Sequence, residues 1–292
     1  MKLIRSVLRM QNLSKKLRQK GKTIGFVPTM GYLHQGHLSL VRQSVKDADV
    51  TVMSIYVNPL QFGPKEDFKL YPRDIKSDMK LARSSGVDYV FIPSDQDMYA
   101  EKYLTTVEVN EISGRMCGAS RPGHFKGVTT VVSKLFNIVL PDIAYFGQKD
   151  AQQAVIIGKM VKDLNMPVKV KVLPIIREPD GLAKSSRNIY LSPGQRKDAA
   201  VLFQALQIAR KMIIEGERNP GKVILRMKRL ISQTESVTIN YIVIAGADDL
   251  LPGKKISGRT LIALAVFIGK VRLIDNIVIK VKSQKSKIKI TS

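Results

Sequence analysis

Short β-branched apolar runs alternate along the first part of the chain with longer stretches whose apolar positions recur at helical spacing. Apolar runs bounded by turn residues read as buried strands, and the helically spaced stretches read as amphipathic helices. Strands are predicted at residues 23–28, 50–57, 88–92, 143–146 and 168–173, with helices at 36–46, 77–85, 127–139 and 151–164. Strand and helix in repeated alternation predict an α/β fold, a Rossmann-like doubly wound parallel sheet.

After Pro174 the rhythm changes. A polar loop at 177–188 leads into helices predicted at 193–215 and 220–234, followed by strands at 238–244, 260–266 and 272–281 separated by turns at Pro252, Gly253 and Gly258. The expectation is two domains: 1–175, a doubly wound sheet, and 176–292, a smaller α+β domain ending in a basic tail. Residues 1–20 alternate Leu, Lys, Arg and Gln without an apolar signal core, and no apolar run reaches the roughly 18 residues of a membrane-spanning helix. A cytoplasmic protein with no membrane partner is expected.

Composition adds one unusual feature, a formal net charge of +24. That much positive charge favours anionic partners, either nucleic acid or an anionic small molecule. The cations are scattered, with one modest cluster at Lys280, Lys282, Lys285, Lys287 and Lys289, and only 6% of residues are aromatic. With so few stacking side chains and no aromatic-glycine signature, an RNA-binding function is not expected. Cys117 is the single cysteine, which excludes a disulfide framework and a multi-cysteine zinc site.

Candidate chemistry concentrates at the ends of the predicted strands. Val27-Pro28-Thr29-Met30-Gly31-Tyr32-Leu33-His34-Gln35-Gly36-His37-Leu38 carries two histidines three apart at the start of a helix, where unpaired backbone amides and the positive end of the helix dipole favour phosphate. Two histidines without further ligands at suitable spacing do not make a zinc site. Asn58-Pro59-Leu60-Gln61 lies just past the second predicted strand, and the Gln61 amide can both donate to and accept from hydroxyl and carboxylate groups. Gly147-Gln148-Lys149-Asp150 follows a later strand and opens a helix; Lys149 suits a phosphate, and Asp150 suits equally a helix cap or a ribose hydroxyl. Lys184-Ser185-Ser186-Arg187 gathers two hydroxyls and two cations, a suitable cover for a pyrophosphate leaving group. Arg121, His124 and Lys126 read as an ordinary basic surface loop.

The His-x-Gly-His element resembles the nucleotide-binding signature shared by nucleotidylyltransferases and class I aminoacyl-tRNA synthetases, and the longer string around it is similar to the opening motif of pantothenate synthetases. Three further segments resemble that family's motifs: Asn58 to Pro64 with Glu66-Asp67 and Tyr71-Pro72-Arg73; Ser120-Arg121-Pro122-Gly123-His124-Phe125 with Gly127-Val128; and Phe146 to Gln153 continuing to Arg177-Glu178 and Lys184 to Ser192. The resemblance covers roughly residues 20 to 195. It implies ATP-dependent joining of pantoate to β-alanine through a pantoyl adenylate, with release of AMP and pyrophosphate. It assigns Met30, Gly31, His34, Gly36, His37, Gly147, Gln148, Lys149, Asp150, Ile176, Lys184, Ser185, Ser186 and Arg187 to ATP, and Gln61 and Gln153 to pantoate and β-alanine. It makes His37 the acid that protonates or steadies the leaving group, helped by His34 and Lys149, with Mg²⁺ carried on the phosphates and no protein metal ligand. A homodimer built through the N-terminal domain is also implied. Lys184 replaces a methionine common at this position in the family, so either a backbone or a side-chain role is open. Another adenylyl-transferring enzyme would share His34 and His37 but would not require the segments at 58–62 and 184–188.

Overall fold

The computed structural model describes residues 1–64 and 66–281, so the tail lysines after Val281 lie outside the described residues. The chain divides into two compact units, one comprising Met1–Ile176 with Lys184–Ser186, the other Arg177–Ala183 with the chain from Arg187 onward.

In the first unit the order of elements is β1 (Lys2–Ile4), α1 (Val7–Gln19), β2 (Ile24–Thr29), α2 (Gln35–Asp47), β3 (Val50–Ile55), α3 (Ile75–Ser84), β4 (Tyr89–Phe91), α4 (Asp95–Met98), α5 (Cys117–Ser120), α6 (His124–Val139), β5 (Ile143–Gly147), α7 (Ala151–Asp163) and β6 (Lys169–Leu173). The six strands form one sheet in the order β1-β4-β3-β2-β5-β6, and every pairing is parallel. The central strands β2 and β3 are covered on both faces, which is why they read as near-continuous apolar runs: Ile24, Phe26, Val27, Val52 and Met53 are fully buried. Burying each such side chain stabilises the fold by roughly 1.5–3 kcal/mol. From β2 the chain builds β3 and β4 on one side, then returns to place β5 and β6 on the other, so the topology switches between β2 and β5. Ligands of open α/β sheets bind at such a switch, beyond the carboxyl ends of the strands.

The expected strands and helices of this unit are present, with ends shifted by one to three residues. Residues 1–20, however, add a strand and a helix not expected from the sequence. Helix α1 buries only Met10 and Ser14 and half-buries Leu13 and Leu17, a stripe at i, i+3, i+4 and i+7 that packs against α6. With a serine in that stripe and lysines and arginines elsewhere, the periodicity is weak until α6 supplies a partner.

The second unit contains α8 (Pro193–Asp198), α9 (Val201–Ile214), α10 (Pro220–Ile231), β7 (Val237–Gly246), β8 (Gly258–Ile268) and β9 (Val271–Val281). Its sheet is antiparallel, β7-β8-β9, packed under Leu202, Ala205, Leu206, Ala209, Ile213, Val223 and Met227. The single helix expected over 193–215 is two. Around Ala199 and Ala200 the ladder tightens, Ala200 N–H bonding to Lys197 O and Leu202 N–H to Ala199 O, before i→i−4 bonding resumes. Arg177 is tied into this unit by a two-pronged pair with the fully buried Asp275, at 2.6 and 2.9 Å, and its guanidinium lies over the Phe203 ring.

Candidate active site

The turn after β2 is shaped by backbone conformation. Gly31 and Tyr32 have φ of +83° and +51°, and a Cβ at Gly31 would come within 2.9 Å of an Asp78 oxygen. Asp78, almost fully buried on α3, accepts the amides of Tyr32 and Leu33 at 2.9 and 2.7 Å. Burial raises its carboxyl pKa, and the two amides oppose that rise by favouring the carboxylate. Nothing local in the sequence marks this residue, 45 positions from the amide it holds.

That turn delivers His34 and His37 to the head of α2 in a reciprocal cap. His34 is the N-cap and its Nδ1 accepts from Gly36 N–H at 3.1 Å, while His37 Nδ1 accepts from His34 N–H at 3.3 Å. Their rings lie 4.1 Å apart. Gly36 is required sterically, because a Cβ there would stand 2.8 Å from the His34 ring. His37 has its pKa pushed well below the ordinary imidazole value by burial first, then by the charges of His34 and Lys149. The ring is therefore neutral near pH 7, and its bond at Nδ1 assigns the proton to Nε2, the donor it can offer a ligand.

Lys149 sits in the short turn Gln148–Asp150 between β5 and α7, three-quarters shielded, with its ammonium 3.8 Å from Asp150. Asp150 occupies the N-cap of α7 but makes no side-chain cap bond, so of the two roles open to it from sequence the cap is not the one formed. The neighbouring glutamines of α7 divide. Gln152 is buried and bonds Cys117 N–H, Ile112 O and Arg115 O, holding the preceding loop, whereas Gln153, one position on, is half-buried.

The turn beyond β3 is the most heavily braced part of the unit. Asn58, buried, accepts from the Tyr99 hydroxyl and Leu60 N–H and donates to Gly127 O and to Gln61 Oε1. Gln61 Nε2 donates to Met30 Sδ at 2.8 Å, joining the turns after β2 and β3. The Gln61 main-chain oxygen accepts from His124 Nδ1 at 2.7 Å and from Arg121 at 3.1 Å, and Arg121 is itself paired with Glu66. The expected surface loop of Arg121 and His124 is thus a half-buried brace. Arg121 donates to His124 Nε2, so His124 holds its proton on Nδ1 and is neutral, its pKa pushed down to about 4 by burial and then by the Arg121 charge, against smaller opposing effects of Gln61 O, Glu66 and Asp150. Glu66 is pushed up by burial but held below the usual carboxylate range by Arg121.

The Lys184–Ser186 segment belongs with the first unit: Lys184 N–H bonds Ile176 O, and the Ser186 hydroxyl reaches Tyr32 O in the histidine turn at 3.4 Å. Arg187 falls in the second unit. Residues from the ends of β2, β3 and β5 thus flank the topological switch, with two histidines, a lysine and a glutamine amide. The sequence profile of the pantoate-beta-alanine ligase family matches residues 2–278. The chain belongs to the pantoate-beta-alanine ligase family. A pantothenate synthetase from Caldicellulosiruptor saccharolyticus is 56% identical over 281 residues, spanning 96% of this chain and 100% of that protein. The crystal structure of pantothenate synthetase from Thermus thermophilus superposes with a TM-score of 0.90 at 40% identity, covering 95% of this chain and 99% of the other. The pantoate-beta-alanine ligase of Francisella tularensis, solved with beta-gamma ATP and beta-alanine, has a TM-score of 0.77 at 34% identity over 95% and 97% of the two chains. As a pantoate-beta-alanine ligase the chain is an enzyme that forms an amide at the expense of ATP, and its Rossmann-like sheet with a small antiparallel companion is the architecture of those structures.

His124 also predicts how this ligase responds to acid. Its folded pKa, about 4, lies below the ~6.5 of an unfolded imidazole. Between these values the unfolded chain binds a proton that the folded chain does not, so stability is full above ~6.5 and declines as pH falls toward about 4. Denaturant unfolding from pH 7 to 4 should show His124→Asn losing on the order of 3 kcal/mol less than the parent over this window.

Proposed function

We propose that the first unit carries the family's two half-reactions with the residues assembled around the switch between β2 and β5. A pantoate carboxylate oxygen attacks the α-phosphorus of ATP; a P–O bond forms as the bridging P–O bond to the β-phosphate breaks, and pyrophosphate leaves. The β-alanine amine then attacks the acyl carbon, the bond to the AMP oxygen breaks, and the ammonium proton passes to solvent. The observation that carries this reading is the neutral His37, capping α2 next to His34 and within the field of Lys149.

In this reading Lys149 and the amides at the head of α2 hold the phosphates, and His37 Nε2–H steadies charge as it develops on the leaving oxygen. Steadying fits the depressed pKa better than proton donation does, because an imidazole neutral at working pH has no surplus proton to give. Met30, Gly31, Gly36, Gly147, Gln148, Asp150 and Ile176 line the ATP, Lys184, Ser185 and Ser186 cover its phosphates, and Gln61 with Gln153 takes pantoate. The Gln61–Met30 bond brings the pantoate glutamine against the histidine turn, as transfer between the two substrates demands. Mg²⁺ would arrive on the nucleotide and supply neutralisation of phosphate charge. A homodimer built through the first unit rests on the family resemblance. No described helix is long and apolar enough to cross a membrane.

The test is release of AMP and pyrophosphate from ATP and Mg²⁺. Sustained release requiring both pantoate and β-alanine, with pantoate alone supporting exchange of labelled pyrophosphate into ATP, is expected. Exchange that proceeds without pantoate, or an equal response to other hydroxy acids, would sink the assignment.

A further inference from the structure

Arg121, held by Glu66, and His124 converge on a single peptide oxygen. Gln61 O receives His124 Nδ1–H at 2.7 Å and an Arg121 N–H at 3.1 Å. Arg121 also donates to Glu66 Oε1 at 2.6 Å through Nε, to the other Glu66 oxygen, and to His124 Nε2 at 3.1 Å. Two donors on one carbonyl fix the plane of the peptide that follows Gln61, and the Glu66 pair fixes one of the donors in turn. Three residues along α6 from His124, Gly127 lies close against Leu60 O and Gln61 N, and Asn58 spans the gap to Gly127 O. The contacts of this brace with Gln61 go to its main chain, while its side-chain amide is aimed at Met30.

The geometry points to His124, with Arg121 and Glu66, as a set of positioning residues for pantoate recognition, which act by holding the main chain of Gln61 so that its amide meets the substrate. The inference rests on the reading of Gln61 as a pantoate ligand. The neutral state of His124 serves the role, since only a ring with Nδ1–H and a bare Nε2 can donate to Gln61 O while accepting from Arg121. The brace bonds the main chain of Gln61, the residue read as a pantoate ligand, so its loss should fall chiefly on that substrate.

The experiment is a set of steady-state KM values for pantoate and for ATP on His124→Asn, His124→Gln, Glu66→Gln and Gln61→Ala. Asparagine places an N–H where Nδ1 stood; glutamine places its amide where Nε2 stood and loses the donor to Gln61 O. His124→Gln should raise the pantoate KM about tenfold, as loss of one hydrogen bond does, with the ATP KM unchanged. His124→Asn should stay within about threefold of the parent for both substrates, and Glu66→Gln, which keeps one acceptor for Arg121, should fall between. A merely structural role would instead move both KM values together or lower kcat alone in His124→Gln and Glu66→Gln alike, and either result overturns the proposal. If Gln61→Ala raises the pantoate KM and His124→Gln does not, the brace has no positioning role while the reading of Gln61 stands. If Gln61→Ala leaves the pantoate KM unchanged, both fall.

Discussion

His37→Ala should lower the rate of pyrophosphate release in the first half-reaction by on the order of 10²- to 10³-fold, the loss typical of one donor aimed at developing charge. The cap it completes costs far less, roughly 0.5–1 kcal/mol of stability, because His34 still caps the Gly36 amide. Rapid-quench measurement of a single turnover, with thermal unfolding run beside it, separates the two effects. Conservative variants distinguish the roles open to this histidine. His37→Gln puts an amide N–H near the place of Nε2 and should recover part of the loss, while His37→Asn, which preserves only the acceptor toward His34 N–H, should not. Equal collapse of Gln, Asn and Ala variants, together with a rate that falls as pH rises through the imidazole range, would mean that His37 delivers a proton.

Gly127→Ala is expected to cost about 10²-fold in kcat/KM, although the residue contributes no side chain to the site. A Cβ there would stand 2.2 Å from Leu60 O and 2.8 Å from Gln61 N, distances no relaxed structure holds. The intruded atoms are backbone on one side and α6 on the other, so the Pro59–Gln61 turn must shift, and displacement of a substrate-orienting group by about 1 Å costs that much. Overpacking should also remove about 1–3 kcal/mol of stability. The loss should appear chiefly in the pantoate KM and in kcat, with ATP affinity measured by equilibrium binding nearly intact. A variant with full activity would show that the turn yields freely and that its position does not set the chemistry.

Much of this was legible along the chain. Buried parallel strands write themselves as β-branched runs, and strand-end segments rich in Gly, His, Lys and Gln mark where a doubly wound sheet binds ligands, so His34, His37, Gln61 and Lys149 could be placed from the chain alone. Gly31 and Gly36 were visible as punctuation, and the structure supplies the reason: a left-handed backbone at one and the His34 ring at the other.

The sequence alone determined what depends on neighbours within a few residues: the identity of five strands and four helices of the first unit, the histidine pair on one helix end, and the motif strings that carry the family resemblance. Only the tertiary structure decided what depends on partners far away in the chain. Asp78 reads as a polar position of α3 until the fold lays it under the amides of Tyr32 and Leu33. Arg121 and His124 read as a basic loop until Glu66, 55 positions from Arg121, and Gln61, 63 from His124, come against them. Helix α1 lacked a clear stripe because α6 completes it, and the break at Ala199 and Ala200 is invisible to helix propensity, since alanine favours a helix in either case. Local periodicity records which face of an element is buried; which residues meet across that face is set by packing, and the brace on Gln61 is of that second kind.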